Sequence, residues 1–160
     1  MIKAHESSGE TDLRAPFVSA VQVSGRVPGH AAEVFAIRGE ADLQALIGRL
    51  HRLLPLAGCD GMDTARIVTA ASELGRNLLA HAGHGRLAVR IGAAAGRTVC
   101  ELVAEDRGPG ITDVTAALRD HFSTGDGLGL GLPGVKRLMD ELSVASLPGV
   151  GTRIIARRWL

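Results

Sequence analysis

Gly127-Leu128-Gly129-Leu130-Gly131-Leu132-Pro133-Gly134 alternates three glycines with leucines before it meets a proline. Glycine has no Cβ, so the backbone here can approach a ligand closely and adopt positive φ. Proline early in a helix is pre-set for helical φ and gives up no needed N–H. Backbone N–H groups converging at a helix N-terminus favour an anion, most often phosphate. Two common phosphate patterns fail, however. Gly129, Gly131 and Gly134 satisfy GxGxxG, but the preceding His121-Phe122-Ser123-Thr124-Gly125-Asp126 does not read as a strand. About 20 residues later, where a Rossmann fold needs an acid, stands Gly149-Val150-Gly151. No GxxxxGK[ST] P-loop occurs. The stretch is either a phosphate cradle of another kind or a glycine linker, and the rest of the chain has to decide.

On both sides the pattern is that of one α/β domain. Glu33–Ile37 is short and apolar and fits a first core strand. Leu43, Leu46, Ile47, Leu50, Leu53 and Leu54 recur at helical spacing, predicting an amphipathic helix over about 40–56. Asp60 to Asp63 supplies an acidic start for a second helix over about 61–81, with Ile67, Ala71, Leu74 and Leu78 as its stripe. Gly83-His84-Gly85 ends it. Leu87–Ile91 and Thr98–Ala104 follow as strands joined by a turn from Gly92 to Gly96. Asp106 to Gly110 reads as a loop and Thr112 to Asp120 as a short helix. A helix over about 132–141 comes next, then strands Leu142–Ser146 and Thr152–Arg158 around Pro148-Gly149-Val150-Gly151. Residues 1–30 are mixed in character and predict a loosely attached arm, in which Phe17–Val23 is a candidate extra strand. Residues 31–160 form the domain.

Composition narrows the function classes. With 160 residues the chain can bury a sizeable core. A net charge of +1 provides no bulk attraction to nucleic acid or membrane. Only 2% of residues are aromatic, with no Tyr, which argues against a base-stacking surface. No apolar run is long enough to span a bilayer, and Met1–Asp12 lacks the apolar core of a signal peptide. The two cysteines, Cys59 and Cys100, make neither a CxxC pair nor a disulfide framework, so a reducing cytoplasmic setting is expected.

Three further constellations can carry chemistry. Glu73 and Asn77, four apart, share one helix face beside the apolar stripe. The Asn carbonyl oxygen suits a hard cation such as Mg²⁺, and the carboxylate can take a proton from an attacking hydroxyl or water. Asp106-Arg107-Gly108-Pro109-Gly110 follows a strongly β-like run. An Asp at a strand end can accept from an exocyclic amine such as adenine N6, and the glycines let the backbone pass close to a flat ligand. His81 and His84 sit at a helix end with no further ligands to complete a metal site. Each signal taken singly has an ordinary structural explanation: a solvated helix face, a turn or a cap.

Their order and spacing are far more specific. Glu73-x-x-x-Asn77, Asp106-x-Gly108-x-Gly110, Gly127-x-Gly129-x-Gly131 and Gly151-Thr152 resemble the N, G1, G2 and G3 boxes of the GHKL (Bergerat-fold) ATPases over about residues 33–158. Within that superfamily, Ala70–Asn77, His81-Ala82-Gly83 and Asp120–Glu141 resemble the anti-sigma-type serine/threonine switch kinases, and among them the RsbT type. The short lid between Gly110 and Gly127, and the Gly-Leu-Pro-Gly that follows, are similar to that type. The arm at 1–30, and His84 where a Lys would be unsurprising, depart from it outside the four boxes. A dimerisation segment with a phospho-accepting His, or a transducer domain after Thr152, is not expected, since 72 residues precede Glu73 and eight follow Thr152.

The resemblance implies a two-layer α/β (α+β) sandwich with a mixed sheet and three main helices on one face. It implies a protein serine/threonine kinase that uses ATP and Mg²⁺. In that assignment Glu73 is the general base and Asn77 ligates Mg²⁺. Asp106 takes the adenine amine with support from Thr152, and Gly108 and Gly110 line the base pocket. Gly127, Gly129 and Gly131 wrap the phosphates, with Ser123 or Thr124 adding hydroxyls. The implied partners are STAS-domain antagonist proteins and a PP2C-type phosphatase. The alternative is an anti-sigma factor that sequesters a sigma factor.

Overall fold

Among the described residues, five strands and four helices follow one another in the order β1 (Glu33–Ile37), α1 (Glu40–Leu56), α2 (Gly61–Ala82), β2 (Gly85–Ala94), β3 (Arg97–Asp106), α3 (Val114–Ala117), α4 (Gly131–Leu138), β4 (Glu141–Leu147) and β5 (Gly151–Trp159). They are seen in a computed structural model that describes residues 32–94, 96–119 and 131–160. The expected arm at 1–30, with its candidate strand Phe17–Val23, and the lid segment with Ser123, Thr124, Gly127 and Gly129 lie outside the described residues. The strand order is β1-β2-β3-β5-β4.

The leucine pattern produces the helix it predicts. Leu43, Leu46, Leu50 and Leu54 are fully buried along α1, and Ile47 and Leu53 pack at the margin. On α2, Ile67, Ala71 and Leu74 are fully buried and Leu78 nearly so. The Asp60 side chain caps α2 by accepting from the Asp63 N–H at 2.7 Å, and Gly83, at φ +76, closes it in the left-handed region. Burial of each such leucine contributes roughly 1.5–3 kcal/mol, so the helix layer is held mainly by this stripe against the sheet. The inward residues of the sheet, among them Leu87, Val89, Cys100, Leu102, Ile154 and Ala156, complete the core.

Three expectations are corrected. Among the described residues the sheet is not mixed: all four strand pairings there are antiparallel. A single crossover helix would return the chain for a parallel strand. Here α1 and α2 run out and back in succession, so β2 starts beside the end of β1, with Gly85 opposite Ile37. The β2–β3 ladder continues through Gly92 opposite Val99 to Ala94 opposite Arg97, so the glycine-rich turn is shorter than its composition suggests. Helix α4 ends at Leu138 rather than near 141. The Asp140 N–H already donates to the Arg157 carbonyl at 2.8 Å and Glu141 pairs with Arg157, so the sheet has claimed those residues. Among the described residues no helix is long and apolar enough to cross a membrane.

Candidate active site

Helix α2 is the backbone of the site. Its apolar stripe turns one flank toward solvent at a core edge, and Glu73 and Asn77 stand there one turn apart. Glu73 is only 8% exposed and Asn77 is half-buried. A carboxylate this enclosed is costly unless paired. Glu73 Oε1 accepts from Arg76 Nη1 at 3.1 Å, three residues along the same face.

The C-terminal end of β3 supplies the second part. Asp106 Oδ1 accepts the Gly108 N–H at 2.8 Å, folding the loop back over the carboxylate. Gly108 lies against the C-terminal turn of α2, where an added Cβ would sit 2.6 Å from the Ala82 Cβ. Gly110 has φ +73, and an added Cβ would collide with the Leu147 carbonyl oxygen. Both glycines are therefore required by the fold as well as by the expected base pocket. The Gly149 N–H donates to the Pro109 carbonyl at 2.8 Å, tying this loop to the β4–β5 turn.

Strand β5 brings the third part alongside. Thr152 is directly opposite Asp106 in the β3–β5 register, and both continue the core-facing rows of their strands. Side chains so paired are about 4.5–5.5 Å apart at Cβ. The Thr152 hydroxyl is 2.8 Å from the Ser146 hydroxyl, its register partner on β4. Ser146 Oγ in turn accepts the Ile111 N–H at 2.7 Å and approaches the Gly151 carbonyl at 3.1 Å. The Asp106–Thr152 pair thus rests on a hydrogen-bonded seam between three segments.

The fourth part is partly on view. Gly131 opens α4 with φ +41, and Pro133 falls in the first turn, where its missing N–H would have had no helical partner. Helix α4 packs on α2 and buries Leu132, Pro133, Gly134 and Val135. Gly127 and Gly129 stand before it, outside the described residues.

These parts have an order in space. Ala82 touches the Asp106 loop. Asn77 lies five residues back along α2 and Glu73 nine, or about 7.5 and 13.5 Å at 1.5 Å per residue. A flat base at Asp106 and Thr152 would therefore have its phosphates running along α2 toward Asn77, with Glu73 beyond. The chemistry of the donors fits Mg²⁺ carried by phosphates. Among the described residues no three His, Cys, Asp or Glu cluster to hold a metal, whereas one amide oxygen is the kind of single protein ligand that Mg²⁺ takes while keeping waters. Thiol chemistry is not offered: Cys100 is fully buried and burial pushes its thiol up to about 12, and Cys59 is raised for the same reason.

Of the residues singled out from sequence, Glu73 and Asn77 share a face, and Asp106, Gly108, Gly110 and Thr152 meet at one end of the sheet. Two neighbours were missed. Ser146 was findable by counting outward from Gly149 to Thr152, since a hairpin pairs positions symmetric about its turn. Arg76 was findable from its i, i+3 spacing to Glu73. His81 and His84 are exposed, as read from sequence.

Residues 39–158 match the family described as "Histidine kinase-like ATPase domain". The chain is 50% identical over 103 residues to the serine/threonine-protein kinase RsbT of Bacillus subtilis, covering 64% of this chain and 77% of that one. It is 32% identical over 103 residues to the anti-sigma F factor of Halalkalibacterium halodurans, covering 61% and 70%. The crystal structure of the RsbU and RsbW domains of Rv1364c from Mycobacterium tuberculosis superposes with a TM-score of 0.55 at 18% identity over 81% of this chain, and likeness at that identity speaks for the fold. The chain spans one third of that structure's length. The chain belongs to the family of histidine kinase-like (GHKL) ATPase domains, in the branch that holds the serine/threonine switch kinases and anti-sigma factors.

Proposed function

We propose that this protein is an ATP-dependent serine/threonine kinase of the RsbT type, acting in the cytoplasm as a partner switch. Its substrates would be STAS-domain antagonist proteins, and a PP2C-type phosphatase would be a second partner. Residues 31–160 would form the kinase domain, with residues 1–30 standing outside it. The observation that carries the reading is the alignment just described: the Asp106–Thr152 pair at one end of α2 and Asn77 and Glu73 in sequence along it. The relative at 50% identity, named a serine/threonine-protein kinase, supports the activity.

Asp106 would accept from the adenine amine, with Thr152 beside it and Gly108 and Gly110 giving the ring room. Gly127, Gly129 and Gly131 would present N–H groups to the phosphates. Asn77 would hold Mg²⁺, which neutralises phosphate charge when bound. Glu73 would align the substrate hydroxyl and take its proton as the γ-phosphoryl group transfers. Phosphoryl transfer passes through a loose transition state, so positioning and charge neutralisation do most of the work. A general base typically contributes about 10²–10⁴-fold.

The test is transfer of label from γ-labelled ATP, with Mg²⁺, to STAS-domain proteins, followed by identification of phosphoserine or phosphothreonine. Glu73→Ala should lose most transfer while ATP still binds, and near-normal transfer would remove Glu73 from its role. The other reading, a dedicated anti-sigma factor, has the weaker support, since the anti-sigma F relative is 32% identical against 50% for the kinase. Pull-downs against sigma factors, STAS proteins and phosphatases separate the two.

A further inference from the structure

We infer that Arg76 is a positioning residue for phosphoryl transfer, holding the Glu73 carboxylate in the orientation from which it meets the substrate hydroxyl; the inference rests on the reading of Glu73 as the base. Packing fixes the α2 backbone beneath Glu73, because Ala70, Ala71 and Leu74 are fully buried. The Glu side chain itself has three rotatable bonds, so burial of the helix does not set where its oxygens point. The Arg76 guanidinium does: Nη1 lies 3.1 Å from Oε1. A guanidinium is planar and presents fixed donors, so it constrains the carboxylate plane more tightly than a point charge. With one oxygen tied, the other is left for the reacting hydroxyl.

The environments of the two partners argue that the pair serves more than the helix. The Glu73 side chain is 11% exposed, while that of Arg76 is half exposed. An i, i+3 pair with one partner in solvent adds little to helix stability. The same spacing occurs once more on α2, where Arg66 lies 3.8 Å from Asp63 near the N-terminus, remote from Asn77. That pair is a matched comparison: same helix and same spacing, but Asp63 is already tied to Arg158 at 2.9 Å.

The experiment measures kcat, the KM for ATP and the dissociation constant of a fluorescent ATP analogue for the full chain, with Mg²⁺ and the STAS protein labelled above. Variants are Arg76→Gln, Arg76→Lys, Arg66→Gln, Glu73→Gln and the double variant Glu73→Gln/Arg76→Gln. Displacing a catalytic group by about 1 Å can cost up to 10²-fold. Arg76→Gln should therefore lower kcat by about 10–100-fold with nucleotide affinity held within about twofold. Arg76→Lys should recover only part of the loss, Arg66→Gln should match the parent, and the double variant should be no slower than Glu73→Gln. If Glu73→Gln abolishes transfer while Arg76→Gln keeps the parental kcat, or loses nucleotide affinity instead, the positioning role is overturned and the base stands. If Glu73→Gln itself keeps full kcat, the base assignment has failed, whatever Arg76→Gln does.

Discussion

Asp106→Asn separates the fold from the nucleotide at a single atom. In the parent, Asp106 Oδ1 accepts the Gly108 N–H at 2.8 Å. The Asn variant can keep that bond only by placing its carbonyl oxygen there, which turns its NH₂ toward the position proposed for the adenine amine. Acceptor facing donor becomes donor facing donor. Losing a hydrogen bond to a charged acceptor costs about 1.5–3 kcal/mol, and stranding a donor costs about 1–3 more. The sum, about 2.5–6 kcal/mol, is roughly 10²–10⁴-fold in affinity at 1.4 kcal/mol per tenfold. Calorimetric titration with ATP should show that loss, while the thermal midpoint stays near the parent's because the Gly108 bond survives. Inosine triphosphate provides the mirror experiment. It carries a carbonyl in place of the amine, so the variant's NH₂ can donate to it, and the preference for ATP should narrow or reverse. ATP affinity within about threefold of the parent, with an unchanged midpoint, would falsify the adenine role of Asp106.

Other perturbations follow from the same geometry. Gly110→Ala places a side chain at φ +73, worth about 1–2 kcal/mol, and drives it into the Leu147 carbonyl, which adds about 1–3 kcal/mol; chemical denaturation showing a loss under 1 kcal/mol would contradict this account. Leu46→Ala on α1 should cost about 2–5 kcal/mol in the same assay, because the side chain is fully buried, and a loss under 1 kcal/mol would show that α1 is not packed as described. Cys100, with its thiol pushed up to about 12 by burial, should resist alkylation at pH 8 until denaturant is added, and rapid labelling of the folded protein would show the core to be open. Glu33 is held below its ordinary value of 4.5 by its hydrogen bond to Arg49, which ties β1 to α1. A carboxyl lowered in the folded state stabilises above its unfolded value and loses that contribution as pH falls through the folded one. Thermal midpoints of Arg49→Gln should therefore lie below the parent's at pH 7 and converge with them below pH 4.5; a gap that widened on acidification would reverse the sign.

Local pattern reached far along this chain because local forces set most of its elements. Six leucine and isoleucine positions fixed the face of α1, Asp60 and Gly83 marked the ends of α2, and β1 was bounded to the residue. The glycine and acid motifs could be picked out in the sequence because each calls for a residue type that few others replace: a carboxylate, an amide, or a backbone without Cβ. Antiparallel pairing throughout was not legible, since strand direction depends on how many helices lie between two strands and on the register they close into. Nor was the early end of α4, where Asp140 and Glu141 are drawn to Arg157 by a strand that comes later in the chain.

Sequence determined which residues could handle a nucleotide, because residue chemistry and spacing along one helix or loop are local properties. Folding decided which of them are neighbours. Asp106 and Thr152 are 46 positions apart and meet only because β3 and β5 pair in one register; a shift of one residue would turn the Thr152 side chain to the other face of the sheet. Ser146 joins them through a second register, and Ala82 is set against Gly108 by helix packing on the sheet. The glycine stretch at 127–134 posed the question of a phosphate, and the strand register set Asp106 and Thr152, the pair proposed to take its base, beside the end of α2.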